Sequence, residues 1–440
     1  MNVYDSEKLA GILAAYGYEI SHEMDSADIV VCNTCSIRHK AEEKAFSFLG
    51  KFAREKKKRP HLILVMAGCV AQQEGEKAFV RVPHLDIVLG TQAFARFGQH
   101  LDAVKSGKQK IVDIEKSDCI FEALPDEAVM DGSRISKFIT IMQGCDNYCT
   151  YCVVPYVRGR ERSRSHNAIV DEIKILANSG IREITLLGQN VNSYGVKEEG
   201  ISFPQLLEKV SQIEGIARIR FATSHPKDLS MELIHAIRDI DKVCNHLHLP
   251  VQSGSNAILR RMNRGYTRET YISRIVDLKK ACPGIALSSD IIVGFPGETP
   301  EDFNDTMELL KTIEFDSIFA FAYSDRSSAP AAKFSDQVDE QEKMSRLNRL
   351  LDFQDLLAEK KNKALIGKVL EVLVEGESQK LHDGFIKTSD QMRQMTGRSA
   401  SNKVVHFPSE SCATGDLVKV RIENAYPHSL WGLTLGAENQ

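Results

Sequence analysis

Between residues 5 and 112, helix-like segments alternate with short apolar runs that suit buried strands. Apolar residues recur at helical spacing in SEKLAGILAAYG and EKAFSFLGKFAREKKK, and these segments interleave with the runs ADIVVCN, HLILVMAGC and LDIVLGT. Helices alternating with buried strands are typical of a parallel sheet between helical layers. The pattern therefore predicts an α/β domain over residues 1–112, built on a doubly wound parallel sheet.

A second series of strands and helices begins near Lys137. The strand candidates are FITIMQG, EITLLG, ARIRFAT, NHLHLP, ALSSDIIVGF and SIFAFAYS. Helices are expected at 203–214, 228–240, 267–281 and 300–313, and also between Ser165, a plausible N-cap, and Gly180. Six strands joined by helices predict an incomplete α/β barrel, whose functional residues should lie on the loops after the strands.

The segments around this barrel mark the other boundaries. Residues 113–133 are acidic and lack periodicity, so they read as a connection. The barrel domain is expected over residues 134–364, with a Pro/Ser-rich linker at 324–334 and a long charged helix at 338–364. From residue 365 to 440, KVLEVLVEG, GFIKTS, KVVHFP, DLVKVRIENA and SLWGLTLG alternate like strands and predict a small antiparallel β-barrel.

Composition narrows the setting of this protein. Hydrophobic residues make up 42% and charged residues 26%, as in globular proteins. No apolar run approaches the roughly 18 residues of a membrane span, and the N-terminal MNVYDSEK is polar, so we expect a cytoplasmic protein with no membrane contact. We also expect the chain to be a monomer. In that reducing compartment, closely spaced members of its ten cysteines indicate metal binding or catalysis rather than disulfides.

The net charge of -4 argues against binding nucleic acid by bulk electrostatics. A nucleic-acid substrate would need local basic patches, and two exist: Lys51 to Arg59 and the RGRERSR segment from Arg158 to Arg164. For the first, a solvated helix face is the favoured interpretation. For the second, binding to RNA phosphates and binding to acidic groups of the same chain both stay open.

The strongest local signal is the spacing Cys145-x3-Cys149-x2-Cys152. Three thiolates on one loop can hold three irons of a [4Fe–4S] cube and leave the fourth iron open for S-adenosylmethionine (SAM). Zinc usually takes four ligands, and the next histidine is only His166, so zinc or inert thiols are disfavoured. The spacing therefore predicts radical SAM chemistry on a loop after the first barrel strand.

Other residues gain meaning from their positions. Tyr151, between two of the cysteines, would lie against the adenine of SAM, although it could simply pack the loop. Polar residues that end later strands are candidates for holding SAM or substrate; these residues are Gln189, Asn190, Ser224, His225, Gln252 and Asp290. For Asn190 and His225, structural hydrogen bonding is the alternative. Cys35 and Cys69 directly follow the first two predicted strands, where ligands of such sheets sit.

Over nearly its whole length the chain resembles the methylthiotransferase family of radical SAM enzymes. The motifs that carry the resemblance are MNVYDSE, NTCSIR, AGCVAQQ, QGCDNYCTYCVVPYVRGRERSR, LLGQNVNSYG, LPVQSGSN and DIIVGFPGET. The cysteine-loop motif and GQNVNSYG are most similar to the MiaB-type branch, which acts on N6-isopentenyladenosine in transfer RNA. The resemblance implies an N-terminal methylthiotransferase domain, a radical SAM barrel and a C-terminal TRAM domain that grips transfer RNA.

The resemblance also implies two [4Fe–4S] clusters, two SAM molecules and an electron donor. One SAM would supply the methyl group and the other the radical that acts on C2 of the adenine. Cys35 and Cys69 match two of the three ligands of an auxiliary cluster, while the third would precede MNVYDSE. Because the sequence begins at Met1, either the natural start lies upstream or the auxiliary site differs; Cys32, in a strand-like run, is a poor substitute.

Three alternatives remain at this point. Within the family, the substrate could be threonylcarbamoyladenosine or an aspartate of a ribosomal protein, which modified-nucleoside analysis would distinguish. In another class, an RNA-binding protein could carry a purely structural iron–sulfur loop, and formation of 5′-deoxyadenosine would exclude that alternative. The remaining cysteines lack partners at metal spacing and are expected to be inert; they are Cys119, Cys244, Cys282 and Cys412.

Overall fold

The structure is a computed structural model of the 440-residue chain. It describes residues 1–21, 23–36, 39–117, 135–197, 200–326, 328–381, 385, 387, 389 and 391–435. Most of the connection predicted at 113–133, including Cys119, lies outside the described residues.

The N-terminal region is a parallel sheet with helices on both faces, as the alternating pattern predicted. Its four strands pair in chain order: β1 (Ile29–Thr34), β2 (Ile63–Gly68), β3 (Ile87–Leu89) and β4 (Ile111–Asp113). The helices are α1 (Asn2–Ala15), α2 (His39–Gly50), α3 (Ala53–Lys58), α4 (Cys69–Glu74), α5 (Ala78–Arg81) and α6 (Phe97–Lys105). Alternate residues of β2 serve opposite faces: Met66 packs with Phe46 of α2, and Val65 packs with Phe97 of α6.

The central region contains the six parallel strands of an open barrel. They are β5 (Ser136–Thr140), β8 (Glu183–Leu187), β9 (Arg218–Phe221), β10 (His246–His248), β11 (Ala286–Val293) and β12 (Ser317–Ala322). They form two three-stranded sheets, which the bridge between Ile219 and Val243 connects. A short antiparallel pair, β6 (Met142–Gln143) and β7 (Arg162–Ser163), follows the first strand. Among the described residues, the incomplete barrel is confirmed.

Helices accompany these strands, and the longer ones cover the outside of the barrel. They are α7 (Val154–Val157), α8 (His166–Asn178), α9 (Phe203–Ser211), α10 (Met231–Asp239), α11 (Asn256–Arg261), α12 (Arg268–Ala281), α13 (Pro300–Ile313) and α14 (Glu340–Lys363). Ser165 occupies the N-cap position of α8 as predicted, but its side chain makes no capping hydrogen bond. The short helix α11 was not predicted, because six residues are too few to show a helical period.

The C-terminal region is a closed five-stranded barrel. Its strands are β13 (Val369–Glu377), β14 (Arg393–Ser399), β15 (Val404–Ser409), β16 (Leu417–Ala425) and β17 (Leu430–Thr434). All neighbours are antiparallel except β15 and β17, which run parallel. The predicted strand at 384–389 is wrong where it is described, since Phe385, Lys387 and Ser389 belong to no strand, and RQMTGRS takes that place in the barrel.

Hydrogen bonds from the central strands hold the C-terminal barrel, and the segment 324–334 packs within the central region. Arg218 of β9 donates to the carbonyl of Arg398 at 2.5 Å, and Arg220 donates to the carbonyl of Ser399 at 2.8 Å, which docks the C-terminal barrel against the central strands. The segment 324–334 is not a free linker, because Ala331 is fully buried and its amide donates to the carbonyl of Thr150 at 2.9 Å. No described helix is both long and apolar enough to cross a membrane.

Candidate active site

The three spaced cysteines lie on one compact loop beyond the first barrel strand. The pair β6 and β7 closes the loop at its base, and the amide of Cys145 donates to the carbonyl of Gly159 at 3.3 Å. Gly144 has φ +80, and a Cβ there would collide with the carbonyl of Arg160, so the turn into the loop requires glycine. Cys145 and Cys149 are buried and Cys152 is half-buried.

Burial makes the thiols of Cys145 and Cys152 hard to ionise without a metal. It raises the pKa of Cys145 to about 11 and that of Cys152 to about 12, and the neighbouring thiols add to the shift. Every described cysteine is free of disulfides. Three thiols on one loop fit an iron–sulfur cluster, whose irons take the place of the thiol protons.

Cys35 and Cys69 leave the N-terminal sheet side by side. β1 and β2 pair in register so that Thr34 lies opposite Gly68, and the two cysteines follow directly. The Thr34 hydroxyl donates to the Ala67 carbonyl at 2.6 Å and accepts from the amide of Val70 at 3.1 Å, which fixes the start of α4. The sheet edge therefore brings together the two cysteines that the sequence had placed after strands.

Cys32 lies within β1, two residues before Thr34, and packs against the core on the α2 face. Burial raises the pKa of its thiol to about 11. Its position is that of a small core hydrophobe, as the sequence indicated.

The two cysteine sets are neighbours in space. Cys69 packs with Val153 and Val157, just after the Cys145–Cys152 loop, and with Ala329. Arg158 continues the same seam: its buried guanidinium pairs with Asp5 at 2.5 Å. Although burial disfavours its charge, Asp5 and Cys69 raise the pKa of Arg158, so it remains a cation between the two loops.

This pairing decides the role of the basic segment 158–164. Arg158 and Arg164 bind acidic groups of the same chain, since Arg164 pairs with Glu172 of α8 at 2.7 Å and both side chains are almost fully buried. An RNA-phosphate role for these two is therefore wrong. Arg160 is different, because its side chain is 79% exposed.

The first basic patch, Lys51 to Arg59, also makes contacts within the chain. Lys56 of α3 pairs with Asp86 at 2.7 Å, and Arg59 donates to the carbonyl of Ala27 at 2.7 Å. It is thus only in part the solvated helix face that the sequence favoured.

Several buried polar atoms at the mouth of the barrel have no hydrogen-bond partner among the described residues. They lie at the end of β6 and on the loops after β8 and β9, and are Gln143 Nε2, Gln189 Oε1, Asn190 Oδ1, Asn192 Nδ2 and Oδ1, Ser224 Oγ and His225 Nε2. Each such atom costs roughly 1–3 kcal/mol when left unpaired. A group of them at one end of a barrel indicates a polar ligand that supplies the missing bonds.

Gln189, Asn190 and Ser224 were singled out from the sequence, whereas Gln143 and Asn192 were missed. Asn190 also donates to Asp228 at 2.7 Å, and Gln189 donates to the sulfur of Met1. Both residues thus combine a structural bond with an unpartnered atom.

His225 is held as a neutral imidazole. Burial lowers its pKa to about 2, and the nearby Arg264 and Lys227 add to the shift. Nδ1 accepts the amide of Lys227 at 3.3 Å, and the ring meets Tyr266 edge-on. Since the described residues offer Nε2 no partner, the imidazole can accept or donate one hydrogen bond to a ligand.

Two non-glycine residues at this end of the barrel have strained backbones. Thr223, after β9, and Gln252, after β10, both have φ +72, which is costly and rare for a β-branched residue such as threonine. Two backbone hydrogen bonds of 2.9 Å hold Gln252 in this conformation. Its amide donates to the carbonyl of Asp290, and its carbonyl accepts from the amide of Ile292. Strain of this kind clusters at ligand sites.

The remaining predicted residues are placed as follows. The Tyr151 ring packs against a small core cluster that includes Phe295, and its hydroxyl accepts from Arg264 at 3.1 Å, so the tyrosine packs the loop. Asp290 lies within β11 and faces His248, with 3.4 Å between Oδ1 and Nε2. It is therefore deeper in the barrel than the loop residues.

A single metal ion has no ready site among the described residues, since no three His, Cys, Asp or Glu side chains converge on one point. A four-iron cube is wider than one ion, so its thiolates need not converge in that way. The donor set of the Cys145–Cys152 loop, buried and made of three free thiols, fits such a cube better than zinc.

Three segments of the chain match known families. Residues 1–90 match Uncharacterized protein family UPF0004, residues 139–310 match the Radical SAM superfamily, and residues 363–433 match the TRAM domain. A protein of Desulfosudis oleivorans described as tRNA-2-methylthio-N(6)-dimethylallyladenosine synthase is 50% identical over 100% of this chain and 95% of its own length. A protein of Geotalea uraniireducens with the same description is 46% identical over 98% of this chain and 96% of its own length.

Solved structures share the fold at low identity. The radical S-adenosylmethionine methyltransferase TsrM from Kitasatospora setae, solved with cobalamin and a [4Fe-4S] cluster, has a TM-score of 0.55 at 14% identity and covers 75% of this chain and 71% of its own. The cobalamin-dependent S-adenosylmethionine radical enzyme OxsB has a TM-score of 0.51 at 14% identity and covers 78% of this chain and 50% of its own. At these identities the likeness concerns the fold alone.

Proposed function

The chain belongs to the tRNA-2-methylthio-N(6)-dimethylallyladenosine synthase family of radical SAM enzymes, and from this membership we propose that it attaches a methylthio group to C2 of N6-isopentenyladenosine beside the anticodon of transfer RNA. The reaction uses two SAM molecules, one as methyl donor and one as radical source. The observation that carries the proposal is the adjacency of the two cysteine sets, because Cys69 packs against the helix that follows Cys152.

Each set has its own role in this proposal. Cys145, Cys149 and Cys152 hold the catalytic [4Fe–4S] cluster, and Cys35 and Cys69 help to hold an auxiliary one. When bound on the loop, the catalytic cluster supplies the electron for the reductive cleavage of SAM. The short path between the loops suits a reaction that removes hydrogen from one carbon and then delivers sulfur to it.

Residues at the mouth of the barrel orient the small-molecule groups. Gln189, Ser224 and neutral His225 carry unpartnered polar atoms that suit the polar edges of adenine, ribose or methionine. We expect Gln252 and Asp290 to complete the SAM site and Tyr151 to lie beside it. An adenine next to the anticodon lies in a single-stranded loop, so its edge can enter the mouth without the breaking of a duplex.

Partners of the chain follow from the same proposal. The TRAM domain grips the body of transfer RNA, and the exposed Arg160 lies close enough to the cysteine loop to meet a phosphate next to the reacting base. A one-electron donor reduces the catalytic cluster, and the chain acts as a monomer.

Mass spectrometry of nucleosides tests the reaction. Isopentenylated transfer RNA is incubated anaerobically with the reconstituted chain, SAM and a reductant, and the digest should contain 2-methylthio-N6-isopentenyladenosine. Transfer RNA that carries threonylcarbamoyladenosine serves as the matched substrate control and should stay unmodified. Modification of the control alone would assign the chain to the other substrate branch. Absence of 5′-deoxyadenosine with every substrate would leave only a structural iron–sulfur loop.

Two cysteine variants separate the roles of the clusters. Cys149→Ala should abolish formation of 5′-deoxyadenosine, whereas Cys69→Ala should retain it and lose methylthiolation. Cys412→Ala, in the C-terminal barrel, is the matched control and should keep both activities. Full methylthiolation by Cys69→Ala would contradict the auxiliary assignment.

A further inference from the structure

One buried cation beside the cysteine loop has no carboxylate among its described hydrogen-bond partners. Arg264, just after α11, is 5% exposed, and no ion pair of the described residues includes it. Its guanidinium donates to the carbonyl of Pro250 at 2.8 Å, to the hydroxyls of Tyr266 and Tyr151 at 3.0 and 3.1 Å, and to Sγ of Cys149 at 3.4 Å. Burying a guanidinium without an anion costs free energy. The surroundings of Arg264 are therefore those of an ion pair that lacks its negative member.

The identity of the missing anion follows from the four acceptors. A backbone carbonyl and two phenols remain neutral, whereas Sγ of Cys149 becomes a thiolate when iron replaces its proton. Arg264 is 115 residues from Cys149 in the sequence, so the fold alone brings the positive charge to this sulfur. Its other bonds hold the guanidinium in place, because Tyr266 in turn donates to the carbonyl of Val251 at 2.8 Å.

We propose that Arg264 is a positioning residue whose charge and hydrogen bond to the Cys149 sulfur stabilise the reduced state of the catalytic cluster. This inference rests on the proposed function, in which Cys149 is a cluster ligand. Reduction adds one negative charge to the cluster, and a fixed cation at hydrogen-bond distance from a ligand sulfur favours that charge. Net charge and hydrogen bonds to sulfur are the factors by which proteins set the potentials of iron–sulfur clusters.

The test is the midpoint potential of the reconstituted cluster, followed by electron paramagnetic resonance during titration with dithionite and redox mediators. All proteins also carry Cys35→Ala and Cys69→Ala, so that only the catalytic cluster contributes to the signal. Arg264→Gln keeps a donor but removes the charge, and Arg264→Lys keeps the charge but loses the planar donor set. Arg238→Gln, on the exposed side of α10, is the control for a change in net charge.

We expect the equilibrium constant for reduction to fall at least tenfold in Arg264→Gln, a shift of about 59 mV to lower potential for one electron. Arg264→Lys should shift by less, and Arg238→Gln should not shift. Wild-type potential in Arg264→Gln, with normal iron content, would overturn the proposal. If Arg264→Gln holds no iron, a small shift of the midpoint potential in Arg264→Lys would support the role of the charge. Loss of iron from both variants, with both still folded, would overturn the redox role of Arg264.

This measurement uses neither transfer RNA nor methylthiolation. It can therefore fail while nucleoside analysis confirms the proposed function, and it can succeed even if the substrate of the chain is a different one.

Discussion

Replacing Glu172 by alanine should destabilise the seam between the N-terminal domain and the barrel. Glu172 is 3% exposed, pairs with Arg164 at 2.7 Å and accepts from the hydroxyl of Tyr4 at 3.2 Å. Arg164 also donates to the Tyr4 hydroxyl at 2.9 Å and to the carbonyl of Thr140 at 2.7 Å. Because Tyr4 belongs to α1, this cluster ties the first domain to the base of the cysteine loop.

The magnitude follows from the burial of the pair. Two unit charges separated by 2.7 Å attract by about 6 kcal/mol at an effective dielectric constant of roughly 20. That attraction offsets a desolvation cost of several kcal/mol for each ion. Glu172→Ala removes the buried carboxylate that pairs with Arg164, so we expect the free energy of unfolding to fall by about 3–5 kcal/mol. Tyr4→Phe, which removes only hydrogen bonds, should lower it by about 1 kcal/mol.

Urea denaturation followed by circular dichroism measures these differences. Asp171→Ala is the matched control, since Asp171 lies on the same helix, is 64% exposed in its side chain, and pairs with Lys174 at 3.7 Å. An exposed pair of this kind contributes about 0–1 kcal/mol, so the control should unfold almost as the wild type does.

A double variant completes the test. Arg164→Met with Glu172→Leu removes both charges of this pair together and should be more stable than Glu172→Ala. If Glu172→Ala cost less than about 1 kcal/mol, or if the double variant were the less stable of the two, the charge argument would be refuted.

Three further outcomes can be checked. In Gly68→Ala, at φ +93, the new Cβ would lie 2.5 Å from Asn33 Oδ1, so this variant should bind at most half the iron of the wild type. The control Gly107→Ala has a similar φ of +97 but lies in open space, so it should bind iron normally. Equal iron contents in the two variants would contradict this prediction. The folded pKa of His225 is about 2 and its unfolded value is 6.5, so only the unfolded chain gains a proton at this residue between these values. His225 therefore lowers stability below pH 6.5 by up to about 1.4 kcal/mol per pH unit, and buried His246, with a pKa of about 3, acts in the same direction. In urea titrations at pH 5 and 7, His225→Gln should lose less stability between the two pH values than the wild type does. Arg218→Ala removes hydrogen bonds that hold the C-terminal barrel against the central strands, so trypsin should cleave faster after α14. The control Arg238→Ala, at an exposed arginine, should not change the rate. Equal rates in the two variants would mean that other contacts are enough to hold the C-terminal barrel in place.

The elements with a long and regular pattern were predictable from the sequence. Helices such as α12 and α13 begin and end within a residue of their predicted bounds, because a helical period repeated over several turns is a local signal. The strand β14 was missed, since RQMTGRS has little apolar alternation and becomes a strand by pairing with β13 and β15.

The candidate site divides in the same way. The spacing of Cys145, Cys149 and Cys152 predicts a cluster loop because all three ligands belong to one short segment. The place of Arg264 beside Cys149 left no signal in the sequence, since a lone arginine after a short helix looks like any surface arginine. Gln143 and Asn192 were likewise missed, because only the packed loops reveal that their amide groups are buried without partners.

The sequence by itself thus determined the order of the domains, the strands that carry the two cysteine sets, and the chemistry that those thiols suit. Tertiary structure alone decided which arginines form buried ion pairs within the chain. In the RGRERSR segment Arg158 and Arg164 cannot be told apart from Arg160, yet they are buried against Asp5 and Glu172, while Arg160 faces solvent. The physical reason is that the energy of a charge depends on its burial and its partners. Both are set by contacts between segments that are far apart in the chain.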